Sequence, residues 1–193
     1  MRIIAGSCRG RKLVPPGDNE IRPTSDRVKE AVFSMLGFGI HGSRVLDLFA
    51  GTGSLGLEAL SRGADFATFV EKSAKSIKVL NENINLLGFG ERCEVFPADA
   101  MDQIVRLGRD SATFDIIFVD PPYMENLYEK ILTSIAEYGI IKNGGLVIVE
   151  YPAALNINER YHSLTLIKNK KYGTTRVSIF TKGDDNEDSS VSR

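Results

Sequence analysis

From residue 44 to about residue 150 the chain alternates short apolar runs with longer amphipathic ones. The runs 44–48, 67–71, 93–96, 114–119 and 146–150 are predicted strands, most of them ending at an acid. Between them 54–62, 73–87, 102–107 and 126–138 are predicted helices. In the segment 73–87, Ile77, Leu80, Ile84 and Leu87 fall on one face at helical spacing. Strands alternating with helices imply βαβ crossovers and a parallel sheet covered on both faces. The expected class is therefore α/β, a mostly parallel doubly wound sheet whose binding crevice lies beyond the carboxyl ends of its strands.

Both ends of the chain leave that rhythm. Residues 163–168 and 174–181 alternate like strands around 169–173, which predicts a carboxyl-terminal antiparallel hairpin with Asn169 to Gly173 as its turn. Near the amino terminus, 2–5 and 12–14 flank the turn-like 6–10, a second short hairpin. Pro15, Pro16 and Gly17 end it. Thr24 or Ser25 then caps a helix running to about Leu36, with Val28, Val32 and Met35 on one face. The expected organisation is an amino-terminal extension over 1–40, a main domain over 41–182 and a disordered acidic tail over 183–193.

Composition narrows the classes. A chain of 193 residues, 42% apolar and 25% charged, suits one globular domain with a substantial core. No apolar stretch approaches the roughly 20 residues of a membrane span, and no signal-peptide core is visible. Cys8 and Cys93 stand far apart, and with only His41 and His162 there is no zinc spacing. Reduced thiols, a cytoplasmic setting and no metal are expected. The net charge of -1 hides an uneven distribution. Arg2, Arg9, Arg11 and Lys12 stand without an acid at the start, whereas Asp184, Asp185, Glu187 and Asp188 crowd the tail. That disfavours a strongly basic nonspecific nucleic-acid binder but leaves room for a local phosphate-facing patch. The run from Lys168 to Lys171 is a second basic cluster, and reads equally well as a solvated face.

Two motifs carry chemistry. Asp47-Leu48-Phe49-Ala50-Gly51-Thr52-Gly53-Ser54-Leu55-Gly56 joins the first strand to the first helix of the alternating region, and its glycines allow close backbone approach to a ligand at a helix amino terminus. Gly51, Gly53 and Gly56 satisfy the dinucleotide pattern, and Glu71 lies where a ribose-binding acid would, so the motif does not separate NAD from S-adenosylmethionine. Asp47 favours the latter, since its charge suits a cationic amino or sulfonium group better than a pyrophosphate. The second motif is Asp120-Pro121-Pro122-Tyr123, directly after a predicted strand. The prolines fix φ and have no N–H, so the loop leaves the sheet with its carbonyls available as acceptors. Acceptors beside an aromatic ring suit a planar substrate bearing an NH2 group. A structural strand-ending turn is the other reading.

Taken together, Asp47 to Gly56, Glu71 and Asp120 to Tyr123 resemble a Rossmann-like class I S-adenosylmethionine-dependent methyltransferase of the amino-methylating group. Met1-Arg2-Ile3-Ile4-Ala5-Gly6, Arg9-Gly10-Arg11-Lys12-Leu13, Arg22-Pro23-Thr24-Ser25-Asp26-Arg27-Val28-Lys29-Glu30 and Leu57-Glu58-Ala59-Leu60-Ser61-Arg62-Gly63-Ala64 resemble the RsmD family, as does Tyr172-Gly173. The resemblance spans roughly residues 1–182; Ser7-Cys8 departs from it, where a bulkier basic or aromatic residue is expected. It implies methylation of the N2 amine of one guanine in bacterial 16S rRNA, with the small ribosomal subunit or an assembly intermediate as partner, and a monomeric, cytoplasmic enzyme. It also implies that Asp47, Gly51 and Gly53 hold the methionine portion of the cofactor, Glu71 the ribose, and Asp99 with Ala100 the adenine, although Asp99 is also placed to cap a helix. Asp120, Pro121 and Tyr123 are the expected catalytic residues. The RNA-facing candidates are Arg2, Arg9, Arg11, Lys12, Arg22 and Arg27. A DNA adenine-N6 or cytosine-N4 methyltransferase, a non-catalytic S-adenosylmethionine-binding assembly factor and an NAD-dependent or nucleotide-sugar enzyme are the competing readings.

Overall fold

The computed structural model describes residues 1–15, 26–122 and 127–183. Helix α1 (Asp26–Leu36) leads into β1 (Arg44–Asp47), α2 (Ser54–Ser61), β2 (Phe66–Glu71), α3 (Ala74–Leu87), β3 (Cys93–Pro97), α4 (Ala100–Arg109), β4 (Phe114–Val119) and α5 (Leu127–Glu137). Then follow β5 (Ile141–Pro152), β6 (Arg160–Tyr161), β7 (Leu164–Tyr172) and β8 (Thr175–Lys182). The strands form one sheet in the order β3-β2-β1-β4-β5-β8-β7-β6. The first five are mutually parallel, while β8 runs antiparallel to β5, as β7 does to β8. This is the mostly parallel doubly wound sheet expected from the alternation, with its antiparallel hairpin at one side, and it agrees with the Rossmann-like class I methyltransferase fold that the resemblance implies.

Local chemistry explains most element boundaries. Ser73 caps α3 by accepting from the Ser76 N–H, and Gly88 ends the helix in the left-handed conformation with φ 75°. From Ile116 to Val119 strand β4 is a continuous apolar run because both of its faces are covered, as a central parallel strand requires. Its side chains divide between two core layers. Phe118 joins Val45, Leu57, Phe69 and Leu80 on one face of the sheet, and Ile117 joins Leu46, Val70, Ile104 and Ile131 on the other.

The structure moves several predicted boundaries. The carboxyl-terminal turn is not Asn169 to Gly173: Lys170 pairs with Val177 and Tyr172 with Thr175, so the lysine run lies within β7 and Gly173 (φ 61°) with Thr174 makes the turn. A two-residue turn with a left-handed glycine matches the twist of the flanking strands better than a five-residue loop does. Helix α4 starts two residues earlier than predicted because Asp99 caps it. Strand β5 starts at Ile141, and the pairing then jumps from Ile141 to Leu146, so four residues bulge out of the ladder. The predicted cap at Thr24 or Ser25 and the acidic tail from Asp184 onward lie outside the described residues, as do Pro16 and Gly17.

The amino-terminal segment packs on the α2 and α3 side of the sheet as a narrow antiparallel ribbon. Arg2 bridges Lys12, Ile3 donates to the Arg11 carbonyl at 2.9 Å and Gly10 to the Ile3 carbonyl at 2.8 Å. Ile3, Cys8 and Leu13 are buried in the same apolar layer as α1, α2 and α3. Gly6 is obligatory there, for a Cβ on it would sit 1.8 Å from the Ser61 carbonyl oxygen. Among the described residues no helix is long and apolar enough to cross a membrane.

Candidate active site

After β1 the chain stays pinned to both neighbouring strands while it turns. The Leu48 N–H donates to the Phe118 carbonyl at 3.1 Å, the Ala50 N–H to the Val70 carbonyl at 3.0 Å, and the Gly53 N–H closes the turn on Ala50 at 2.7 Å. Gly51 and Gly53 have φ of 53° and 86°, the left-handed region that side chains with a Cβ rarely adopt. A Cβ on Gly53 would press on Leu80, whereas one on Gly51 would meet open space, so the turn presents bare backbone to the crevice at Gly51. Gly56 serves packing: a Cβ there would lie 2.2 Å from the Phe69 ring, holding α2 away from β2.

Three carboxylates converge on this turn from three adjacent strands. Asp47 ends β1 and is buried; its Oδ2 accepts the Gly56 N–H at 3.1 Å, so it caps the first turn of α2, where Gly53 offers no side chain. Glu71 ends β2; its Oε2 accepts the Gly51 N–H at 2.8 Å and its Oε1 the Ser73 N–H at 2.7 Å. Asp120 follows β4 directly and is half-buried. Burial pushes the Asp47 carboxyl up to about 7, and the nearby charges of Asp120 and Glu71 push the same way against the hydrogen bonds from the Gly56 and Phe49 backbone. The crevice thus concentrates negative charge beside a helix amino terminus. The residues fit a ligand with a cationic centre and a carboxylate of its own, and suit a pyrophosphate poorly. A bare glycine beside Glu71, which has one backbone donor on each carboxylate oxygen and further lone pairs to spare, also suits a pair of hydroxyl groups.

The other expected residues fall as follows. Asp99 precedes α4 at the end of β3 and is exposed; its Oδ1 accepts the Met101 N–H at 2.9 Å and its Oδ2 lies 3.6 Å from Lys72 Nζ. One oxygen of the expected adenine-side acid is therefore engaged in capping. Ala100 behind it is buried. Pro121 is buried and Pro122 exposed, so the chain turns outward at this peptide. Tyr123 and Arg22 lie outside the described residues. Arg9, Arg11, Lys12 and Arg27 are exposed, while Arg2 pairs with Asp26 at 3.3 Å. Lys168, Lys170 and Lys171 are exposed along β7. Cys8 and Cys93 are free thiols, His41 packs on Gly63, and His162 lies 3.4 Å from Glu137. Among the described residues no three His, Cys, Asp or Glu side chains cluster as metal ligands.

A buried polar network beneath the turn was not anticipated. Glu58 is fully buried in α2, accepting from the Ile4 N–H at 2.8 Å, the Ala5 N–H at 3.0 Å and Arg62 Nε at 2.8 Å, with Lys29 Nζ at 3.5 Å. Lys29, also fully buried, donates to the Arg2 carbonyl and to Ser54 Oγ; burial lowers its pKa, opposed by the Glu58 charge. Asn83 of α3 is buried too, bonded to Val14 and to the Thr52 carbonyl. Helical spacing carried the signal: Lys29 shares a face with Val32, Phe33 and Leu36, and Asn83 with Leu80, Ile84 and Leu87. A polar residue in an apolar stripe marks a tertiary contact, because a polar group withdrawn from water needs partners.

Comparison with known proteins gives this geometry a family. The family described as Conserved hypothetical protein 95 matches residues 1–181. A Bacillus subtilis protein, "Putative rRNA methyltransferase YlbH", is 37% identical over 182 residues, 94% of this chain and 99% of the relative. "Ribosomal RNA small subunit methyltransferase D" of Haemophilus influenzae is 41% identical over 151 residues, 78% of each chain. Among solved structures, "Putative methyltransferase yhhF" of Escherichia coli superimposes with a TM-score of 0.85 at 32% identity, covering 95% of this chain and 98% of that one.

Proposed function

The chain belongs to the Conserved hypothetical protein 95 family of S-adenosylmethionine-dependent methyltransferases, and on that premise we propose that it methylates the exocyclic N2 amine of a guanine in 16S rRNA of the small ribosomal subunit. The observation that carries this reading is the convergence of Asp47, Glu71 and Asp120 around the Gly51 turn, where a buried acid faces two others beside bare backbone. Relatives named for small-subunit rRNA methylation, matched over most of their length, support the choice of substrate.

Bound S-adenosylmethionine supplies an electrophilic methyl group. Asp47 and the Gly51 to Gly53 turn hold its methionine end, Glu71 accepts from the ribose hydroxyls, and Asp99 with Ala100 borders the adenine. The acceptor amine is a poor nucleophile because its lone pair is delocalised into the ring. The Asp120 carboxylate and the Pro121 carbonyl would accept hydrogen bonds from the two amine N–H groups, favouring a pyramidal nitrogen with an available lone pair. As the nitrogen–carbon bond forms, the sulfur–carbon bond would break, S-adenosylhomocysteine would leave and one amine proton would be released. Tyr123 stacks on the base and fixes its plane, a contact worth about 1–3 kcal/mol. A stacked base cannot reach such a site, so the guanine is unpaired or flipped out. Arg9, Arg11, Lys12 and Arg27, with Arg2 and Arg22, provide the phosphate contacts.

The test is incubation with methyl-labelled S-adenosylmethionine and, separately, naked 16S rRNA, small subunits lacking the modification, and duplex DNA. Label is expected in the rRNA or the subunit, at a guanine N2 when the nucleotide is mapped. Label in DNA alone would replace this reading with a DNA amino-methyltransferase, and none anywhere with a non-catalytic binder.

A further inference from the structure

Asn83 occupies a position in α3 that the apolar stripe Leu80, Ile84 and Leu87 would fill with another aliphatic side chain. It is fully buried, and its amide is used at both ends. Its Oδ1 accepts the Val14 N–H at 2.7 Å, while its Nδ2 donates to the Val14 carbonyl at 3.2 Å and to the Thr52 carbonyl at 3.0 Å. The amide orientation is fixed, since a flipped group would set its oxygen against two carbonyls. One side chain therefore imitates a strand partner for the end of the amino-terminal ribbon and also grips the peptide between Gly51 and Gly53. A second path joins the same two regions: Lys29 Nζ bridges the Arg2 carbonyl and Ser54 Oγ.

We propose that Asn83 is a positioning residue that couples the amino-terminal ribbon to the cofactor turn, so that cofactor binding steadies the ribbon and a loosened ribbon weakens cofactor binding. The inference rests on the reading of the Gly51 turn as the cofactor site. The physical basis is shared restraint. Two flanking left-handed glycines leave the Thr52 peptide soft, and the Nδ2 bond sets its height in the crevice. The same amide ends the ribbon that carries Arg9, Arg11 and Lys12, so restraint at one end restrains the other. Binding linkage is reciprocal, and RNA engaging the ribbon gains affinity from a loaded cofactor site by the same factor.

Calorimetric titration with S-adenosylhomocysteine and amide hydrogen exchange at residues 10–14 test this without any turnover. In the unaltered protein, S-adenosylhomocysteine is expected to slow exchange at the Val14 amide. Asn83→Leu, which keeps the branched shape and removes all three bonds, should weaken S-adenosylhomocysteine binding about tenfold and abolish the ligand-dependent slowing. Val14→Pro removes the N–H that Asn83 accepts, while fixing φ at that position, and serves if the first variant does not fold; about threefold weaker binding is expected. Ile135→Ala, a core truncation in α5 on the other face of the sheet, controls for general destabilisation and should leave affinity unchanged. Unaltered affinity in either folded ribbon-side variant overturns the coupling, as does a Val14 amide indifferent to ligand in the unaltered protein, or an equal loss in Ile135→Ala. Failure of the unaltered protein to bind S-adenosylhomocysteine overturns instead the cofactor reading on which the inference stands.

Discussion

Glu58 and Asp47 are both buried acids close to α2, yet their surroundings are opposite. Glu58 is surrounded by donors: two backbone N–H groups from the ribbon, Arg62 and Lys29. Asp47 receives the Gly56 and Phe49 backbone N–H groups and faces the charges of two other acids, which with burial raise its carboxyl to about 7. A saturated buried acid serves the fold, because every lone pair withdrawn from water is given a protein donor. An acid left under like-charge repulsion in a crevice stores an electrostatic demand that a cationic ligand meets. The contrast separates a carboxylate saturated by donors from one held under like-charge repulsion.

The largest expected effect lies at the third acid. Asp120→Asn should lower methyl transfer by roughly 100-fold or more while S-adenosylhomocysteine affinity changes little; single-turnover kinetics beside a binding titration would show it, and near-normal turnover would remove Asp120 from the mechanism. Next, Glu58→Ala leaves Lys29 buried without its carboxylate and two ribbon N–H groups unaccepted, a loss of about 3–5 kcal/mol. Denaturant unfolding measures this, and a loss under about 1 kcal/mol would show Glu58 not to be structural.

Asp47 sharpens the comparison through pH. Its folded pKa lies above the ordinary value of 3.8, so the stability it contributes is fully present below that value and is lost as pH rises through about 7. The ligand-free protein should therefore weaken between about pH 4 and pH 7 from this group, while affinity for S-adenosylmethionine rises from about pH 6 to about pH 8 as the carboxylate forms. Asp47→Asn should be as stable as the unaltered protein at about pH 8 or more so, bind the cofactor about tenfold more weakly, and show no such pH dependence. An unchanged pH profile for affinity would assign the titration elsewhere. The smallest effect is expected at the ribbon surface. Arg9→Ala with Arg11→Ala should reduce RNA affinity modestly and lower the slope of log affinity against log salt by about 0.7 for each phosphate no longer neutralised. An unaltered slope would remove the ribbon from the RNA interface.

Much of this was legible along the chain. The alternation of apolar runs and amphipathic segments placed β1 to β5 and α2 to α5 within a few residues, because the period of apolar positions along each segment reports its own conformation. The glycine turn and the acids at strand ends were readable for the same reason: the chemistry of a strand-to-helix turn is local. Asp99 shows the limit, since an acid at a strand end before a helix reads both as a ligand and as a cap, and the structure finds it capping. The lysine run shows another. Its residues alternate too weakly to place a turn, and pairing with β8 decided that they belong to β7.

The sequence by itself determined the order of elements, the doubly wound class and the candidate reacting group Asp120 to Tyr123, all consequences of spacing along one stretch of chain. Only the tertiary structure decided what Lys29, Glu58 and Asn83 do. Lys29 and Glu58 lie on different helices, and Asn83 reaches Val14 across 69 residues. Local periodicity says that such side chains are buried, but a buried charge or amide is stable only with partners. Those partners are backbone groups of the ribbon and the glycine turn, with the side chains of Ser54 and Arg62, brought together when the helices pack against the sheet.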